Sequence, residues 1–349
     1  MEFEANNNEH ESLIKELYPD NNSPITGLNW TKEFTVTQEE ASKYDKPDWL
    51  YKNLVIGGHI IAIPAPANGG KTTIFMYVAG EMSKQGIKVY YVNADIGQSD
   101  AKAMIEYANN HNFEILLPDM KEGQSMDNVV NNLKRMNNEG GDFSGMVFIF
   151  DTLKKMTDVI NKSRAKDLYK MLRGLSAKGM TIILLAHTNK YKDSEGRPIY
   201  EGTGDLRTDV DELIYLVPKS NDDGGLTVST EPDKVRGKFV PITFEIDKNR
   251  TVKQADNFVD VISITKRNQQ LENDTPTIES ITEAINQGHI KQSDIISFCK
   301  DKNISKRSVQ PCLKRYADGN NQKWSVEKGF EHNTYFYKLI STPPPQWEN

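Results

Sequence analysis

Only two cysteines, Cys299 and Cys312, occur in 349 residues. That is too few for a disulfide framework or a thiolate zinc site, and it implies a reducing cytosol. No stretch approaches the roughly 18 apolar residues of a membrane span. The opening Met1-Glu2-Phe3-Glu4 lacks the apolar core of a secretory signal, so no membrane partner is expected. A surplus of positive charge is also missing. Lys and Arg number 43 against 49 Asp and Glu, for a net charge of −6. This argues against a surface that coats a polyanion wholesale, while leaving local basic channels open. The deficit is uneven, because residues 276–340 hold ten Lys/Arg and seven Asp/Glu (+3), leaving −9 for the rest. No internal repeat is visible.

What is present is an ordinary globular composition, 37% apolar and 26% charged, sized for one to three domains. Residues 1–45, rich in Asn, Glu and Ser, read as a mobile leader with one short helix over Glu9–Leu17. From residue 46 to 268, apolar runs alternate with helical stretches. Strands are predicted at Ile60–Ile63, Val89–Asn93, Phe113–Leu117, Val147–Asp151, Thr181–Ala186, Leu213–Val217, Leu226–Ser229 and Ile242–Ile246. Helices are predicted at Lys71–Lys84, Ser99–Asn110, Met126–Asn138 and Ala165–Lys178. Continuous apolar strands separated by helices predict an α/β fold with a mainly parallel sheet covered on both faces. The last strands lack intervening helices and predict an antiparallel edge. Residues 269–275 read as a polar linker. Beyond it, helices at Thr277–Asn286, Gln292–Lys300 and Lys306–Ala317 and a hairpin of Lys323–Val326 with Tyr335–Leu339 predict a small winged helix-turn-helix over 276–340. The tail 341–349, with Pro343–Pro345, reads as disordered.

The strongest motif is Pro64-Ala65-Pro66-Ala67-Asn68-Gly69-Gly70-Lys71-Thr72-Thr73. An apolar strand enters it and a helix leaves it, the context a phosphate-binding loop requires. Lys71 is placed to neutralise the β- and γ-phosphates of ATP, and the amides of Ala67, Asn68, Gly69, Gly70, Lys71, Thr72 and Thr73 to cradle them at a helix N-terminus. Thr72 is placed to offer its hydroxyl to Mg²⁺. Ala65 departs from the usual Gly. The run Met146–Asp151, 80 residues beyond Lys71 at its last position, is an apolar strand ending in a carboxylate, so Asp151 is the second metal-site candidate. Thr152 rather than Glu follows it, so the water-activating base must come from elsewhere. Asp95, after the second strand, is the candidate, or else it caps the next helix. His187, after Thr181–Ala186, is a candidate γ-phosphate sensor or a satisfied core histidine.

Together these residues resemble the RecA-like hexameric helicases, nearest the plasmid RepA type, in the broad class of the DnaB-like P-loop ATPases. The resemblance spans Pro47 to Asp260. It also rests on Asp48-Trp49-Leu50, Phe150-Asp151-Thr152-Leu153, Leu185-Ala186-His187-Thr188 and the run Gly202–Asp211. The family usually has Glu where Asp95 stands. The resemblance implies that Lys234 and Arg236, in Lys234-Val235-Arg236-Gly237, reach the γ-phosphate of a neighbouring subunit, with Arg250 as a second candidate. The alternative is a basic turn between strands. A trans-acting arginine implies self-association, as a homohexameric ring.

In such rings the loops after the strands ending at Asp151 and Ala186 face the channel. Here these are Lys154 to Lys166, and Lys190 to Arg207. The second carries Lys190, Lys192, Arg197 and Arg207 with Tyr191 and Tyr200 between them, the mix that single-stranded DNA binding uses. Acidic neighbours leave a plain solvated loop open. In the C-terminal segment, Ser305 caps a predicted helix that offers Lys306 and Arg307 to DNA, with Pro311 as a defect inside it. The function expected is an ATP-dependent ring-forming replicative DNA helicase of plasmid or phage type, with a replication initiator or primase as the implied further partner. Two readings stay beside it: a DNA-stimulated ATPase without unwinding, and an ATP-switched DNA-binding regulator.

Overall fold

The computed structural model describes residues 31–42, 48–157, 161–193, 197–201, 205–319, 321–329 and 334–340. The helix expected at Glu9–Leu17, the Gly202–Gly204 run and the proline tail lie outside the described residues. The chain divides into two units at Asp48/Trp49. In the first, the one-turn helix α1 (Gln38–Ala41) is closed by a capping box: the Glu40 N–H donates to Thr37 Oγ1 and the Thr37 N–H to the Glu40 carboxylate.

The second unit begins with a small antiparallel pair, β1 (Trp49–Tyr51) and β2 (Val55–Ile56). Then come β3 (Ile60–Ala65), α2 (Lys71–Ser83), β4 (Lys88–Asn93), α3 (Gln98–Asn110), β5 (Glu114–Leu116), α4 (Met126–Glu139), β6 (Met146–Asp151), α5 (Leu153–Met156), α6 (Lys162–Ser176), β7 (Thr181–Lys192) and β8 (Pro198–Tyr200). They are followed by α7 (Asp205–Asp209), β9 (Glu212–Ser220), β10 (Leu226–Lys234), β11 (Thr243–Ile246), β12 (Val252–Gln254), α8 (Val261–Asn286), α9 (Gln292–Asp301), α10 (Lys306–Arg315), β13 (Trp324–Lys328) and β14 (Tyr335–Leu339).

The central sheet runs β12-β11-β10-β9-β3-β7-β6-β4-β5. From β5 to β9 every pairing is parallel. From β9 to β12 every pairing is antiparallel. All six residues of β3 are buried, and the period of two sends them to two cores. Ile61, Ile63 and Ala65 pack with Ile74, Phe75, Val78 and Met82 of α2. Ile60 and Ala62 pack with Leu168, Leu172 and Leu175 of α6 on the other face. That double burial explains why the strands are uninterrupted apolar runs. An Ile→Ala change in β3 is expected to cost about 2–5 kcal/mol. A third core, around Ile281, Leu313 and Trp324, joins the last turns of α8 to α9, α10 and the β13–β14 ribbon. Trp324 anchors it by donating its indole N–H to the Leu313 carbonyl at 2.8 Å.

Two expectations need correction. The stretch 269–275 is not an extended linker but the middle of α8, which continues through Pro276 to Asn286. Asp260 caps it by accepting from the Ser263 N–H, and its first half packs on β9 and β10. This tertiary contact outweighs the one backbone bond that Pro276 forfeits. Likewise 190–207 is not one loop. β7 extends to Lys192 and returns through β8, pairing Thr188 with Tyr200 and Lys192 with Pro198.

Candidate active site

The loop from Pro66 to Gly70 leaves the C-terminal end of β3 and opens α2. Ala65 is still in the strand, paired with His187, so extended backbone accommodates Ala where the usual pattern has Gly. Gly70 sits at φ +79°, a left-handed conformation that favours glycine, and a Cβ there would also press on the end of the Ile246 side chain, 2.4 Å away. Asn68 also has positive φ, +58°, which Asn tolerates better than most residues. As N-cap of α2, Gly70 offers no side-chain acceptor. The first-turn N–H groups therefore face outward with the positive end of the helix dipole, the arrangement that receives a phosphate.

Lys71 is 7% exposed. Burial lowers its pKa, partly offset by the charges of Asp151 and Asp95, which places both carboxylates within electrostatic reach of the ammonium. Asp151 ends β6 and is 4% exposed. Its Oδ2 accepts from Thr72 Oγ1 at 2.6 Å and from Tyr91 OH at 2.9 Å. Burial first, then the Asp151 charge, pushes the Tyr91 phenol well above its ordinary pKa, so it remains a donor. Next to them the hydroxyl of Thr152 is buried without a hydrogen-bond partner.

This donor set fits a magnesium ion: hard oxygens, one carboxylate, and room for waters and phosphate oxygens to complete the shell. Thr72 and Asp151 are the side chains that would hold it. Beneath the opening lies a cleft of about 380 Å³, with the loop Pro66–Thr73 as its floor and the turns Gly224–Leu226 and Asp247–Arg250 as its walls.

Asp95 follows β4, which pairs with β6 so that Asn93 sits beside Asp151. The Asp95 N–H donates to Asn93 Oδ1 at 2.8 Å. Its carboxylate is half exposed and lies 3.2 Å from the Lys155 ammonium of α5. His187 is partly buried. Burial chiefly, then Lys71, lowers its pKa below 6.5, against opposing pulls from Glu201 and Asp95. It is therefore neutral near pH 7. The fold thus gathers Lys71, Thr72, Asp95 and Asp151 at the C-terminal ends of β3, β4 and β6, with His187 beside them within β7, paired with Ala65.

It does not gather Lys234 and Arg236 there. Lys234 pairs with Leu213, and Leu213 with Ala62, which places it near the start of β3. Its ammonium donates to the carbonyls of Arg207, Thr208 and Val210, using the three donors it has. Of the pair, only Arg236 keeps a side chain facing outward, 61% exposed, with its Nη1 2.9 Å from Asp211 Oδ1 as an ion pair. Asp211 also accepts from Arg173 Nη1 at 2.7 Å and from the Ile60 N–H at 2.9 Å. Burial pushes its carboxyl up, but these bonds and charges outweigh burial and hold the pKa below the usual value.

Ile60 and Ala65 are five residue steps apart, roughly 17 Å of strand. Arg236 therefore stands at the far end of the sheet from its own phosphate loop. Arg250 is the reverse case. As a second trans candidate it needs correction, because it lines the cleft of its own chain together with Lys248, carried there by the short β11–β12 turn.

Among the DNA candidates, Lys190 and Lys192 lie on β7. Arg197 and Arg207 are engaged by acids of β10, Arg197 with Glu231 at 3.5 Å and Arg207 with Asp233 at 2.8 Å. Tyr191, between Lys190 and Lys192, is 81% exposed. Lys306 and Arg307 open α10, which Ser305 caps; both are exposed on the C-terminal helices, apart from this cluster. Sequence reasoning missed Tyr91 and the turn Gly224–Leu226; it had Lys155 only as part of a channel loop and Arg250 only as a residue reaching a neighbour, not beside this site. Tyr91 carried a signal, since a tyrosine in a fully buried strand needs a partner for its hydroxyl. Lys155 carried none beyond its charge.

Residues 31–193 match the family model described as "AAA domain". No curated protein matches the chain. Among solved structures, the flagellar accessory protein FlaH from Methanocaldococcus jannaschii is similar at 16% identity and a TM-score of 0.42, over 60% of this chain and 93% of that one. A DnaB-like replicative helicase, described with its primase interactions, is similar at 16% identity and a TM-score of 0.42, over 66% of each chain. The family match covers a little under half of the chain and falls on the segment that carries the phosphate loop and the Asp151 strand, within a mainly parallel sheet: over that segment the chain is similar to the AAA-domain proteins.

Proposed function

We propose that the protein is an ATP-driven, ring-forming DNA helicase of the plasmid or phage replication type, with each active site completed by a neighbouring copy. The observation that carries this reading is the separation just described. Lys71, Thr72, Asp151 and Asp95 converge at one end of the sheet, while the exposed Arg236 stands at the other, anchored by the buried Asp211. An arginine so placed serves the phosphate of another chain.

In this scheme the loop amides and Lys71 bind the triphosphate. Asp95 takes the proton of the attacking water as its oxygen bonds to the γ-phosphorus. The bond from that phosphorus to the bridging oxygen breaks, releasing ADP and phosphate. Magnesium, when bound, neutralises charge on the phosphate oxygens. Neutral His187 responds to the presence of the γ-phosphate. Arg236 of the neighbour stabilises the transition-state charge, a contribution of roughly 10³–10⁵-fold in such enzymes. Turnover then moves the Lys154–Lys166 segment and the β7–β8 hairpin along single-stranded DNA. The three helices and ribbon at the C-terminus support a winged-helix role in docking DNA or a replication partner.

The test is native mass with and without ATP and single-stranded DNA, followed by unwinding of a forked duplex. A ring that separates strands with ATP supports the proposal. Hydrolysis stimulated by DNA without strand separation would replace it with a non-unwinding ATPase.

A further inference from the structure

Lys155 belongs to two places at once. Its ammonium lies 3.2 Å from Asp95 Oδ1, and its side chain lines a separate groove of about 780 Å³ between α4, α5 and α6. Lys134, Lys154 and Arg164 line the same groove, against Asp127, Asp167 and Glu201. Four cations against three carboxylates suit a few phosphodiester contacts rather than a dense polyanion. α5 starts directly after Asp151 and Thr152, so whatever draws Lys155 into the groove acts next to the nucleotide.

We infer that Lys155 is a latch on Asp95 and that the groove is where a nucleic-acid phosphate releases it. The inference rests on the reading of Asp95 as the water-activating base. While the ion pair holds, the ammonium occupies a carboxylate oxygen that must accept a proton. A phosphate in the groove competes for the same ammonium and frees Asp95. The pair suits this task because it is weak: both side chains are about half exposed (42% and 52%). Exposed pairs of this kind shift an equilibrium by about two- to fivefold at most, little enough for a bound strand to reverse. The latch thus links occupancy of the groove to hydrolysis.

The experiment is steady-state ATP hydrolysis by the full chain, with and without a saturating single-stranded thymidine oligonucleotide. Lys155→Gln raises DNA-free turnover by about two- to fivefold and shrinks the stimulation by DNA. Lys155→Arg, which keeps the charge, restores both toward the parent. Lys134→Gln combined with Arg164→Gln raises the DNA concentration needed for half-stimulation several-fold. The inference is overturned if Lys155→Gln leaves DNA-free turnover at or below the parent, or if the double variant needs no more DNA. Asp95→Asn separates the two layers: it abolishes turnover if Asp95 is the base. Substantial activity in that variant refutes the base assignment itself, whereas an inactive Asp95→Asn beside an unchanged Lys155→Gln refutes the latch alone.

Discussion

At the C-terminal ends of β3 and β6 the charged groups are closed in: Lys71 and Asp151 are buried, and Thr72 and Tyr91 both spend their hydroxyls on one Asp151 oxygen. At the opposite end the arrangement is turned inside out. There the carboxylate, Asp211, is buried, while its partners Arg173 and Arg236 reach solvent, 42% and 61% exposed. The first end is pre-organised around a ligand that must come in. The second holds a cation by its root and presents the tip. One parallel sheet with an antiparallel edge produces both, because β10 runs back from the nucleotide end and leaves its last residues level with the first half of β3, across β9.

Substitutions at the two ends are therefore expected to fail differently. Lys71→Ala removes the buried cation and should lose both nucleotide binding and hydrolysis. Arg236→Ala should lower turnover by about 10³-fold or more while leaving nucleotide affinity nearly intact, as read by fluorescent-nucleotide titration beside a turnover assay. A collapse of affinity would put Arg236 in its own cleft and erase the contrast.

Asp211→Asn should weaken the far end alone. About 1–3 kcal/mol of stability is expected to go, because two arginines lose their charged partner yet can turn to water. The pH dependence has a definite sign. Asp211 has a folded pKa below its ordinary value, so its contribution is complete above that value and is lost as pH falls through the depressed one. Thermal melts on acidification should show the parent losing stability over that span and the variant losing less.

Part of this contrast was legible in the sequence. The loop Pro66–Thr73, the strand ending at Asp151 and the parallel order of the early strands follow from apolar runs that stop at polar or glycine-rich loops. The antiparallel edge followed from the missing helices. The first half of α8 was not legible, because Gln269–Thr275 and Pro276 read as a break and only the packing on β9 and β10 overrides it. Nor was the difference between Arg236 and Arg250. Both sit in basic turns near strand ends, and only the register of β10 and β11 tells which end of the sheet each occupies.

Two smaller effects sharpen the nucleotide end. Tyr91→Phe removes one donor from Asp151, a net loss of about 1 kcal/mol, so magnesium–nucleotide affinity should fall roughly fivefold. An unchanged affinity would mean Thr72 alone sets that carboxylate. His187→Gln should act only in acid. The parent histidine, its pKa lowered from 6.5, gains a proton and a charge near Lys71 as pH drops below that range, so parent turnover should decline there. The variant cannot titrate and should decline less. Superimposable pH–rate profiles would remove His187 from the site.

The central claim is that the two ends meet only across chains. Its most direct test mixes two inactive proteins, Lys71→Ala and Arg236→Ala, and measures ATP hydrolysis against their ratio. If sites are shared between copies, an intact phosphate loop from one chain meets an intact Arg236 from the other. Activity then returns, peaking near equal amounts at roughly a quarter of the parent value for random exchange in a closed ring. If the mixture stays as inactive as its components at every ratio while mixed assemblies form, each site is complete within one chain and the account is wrong.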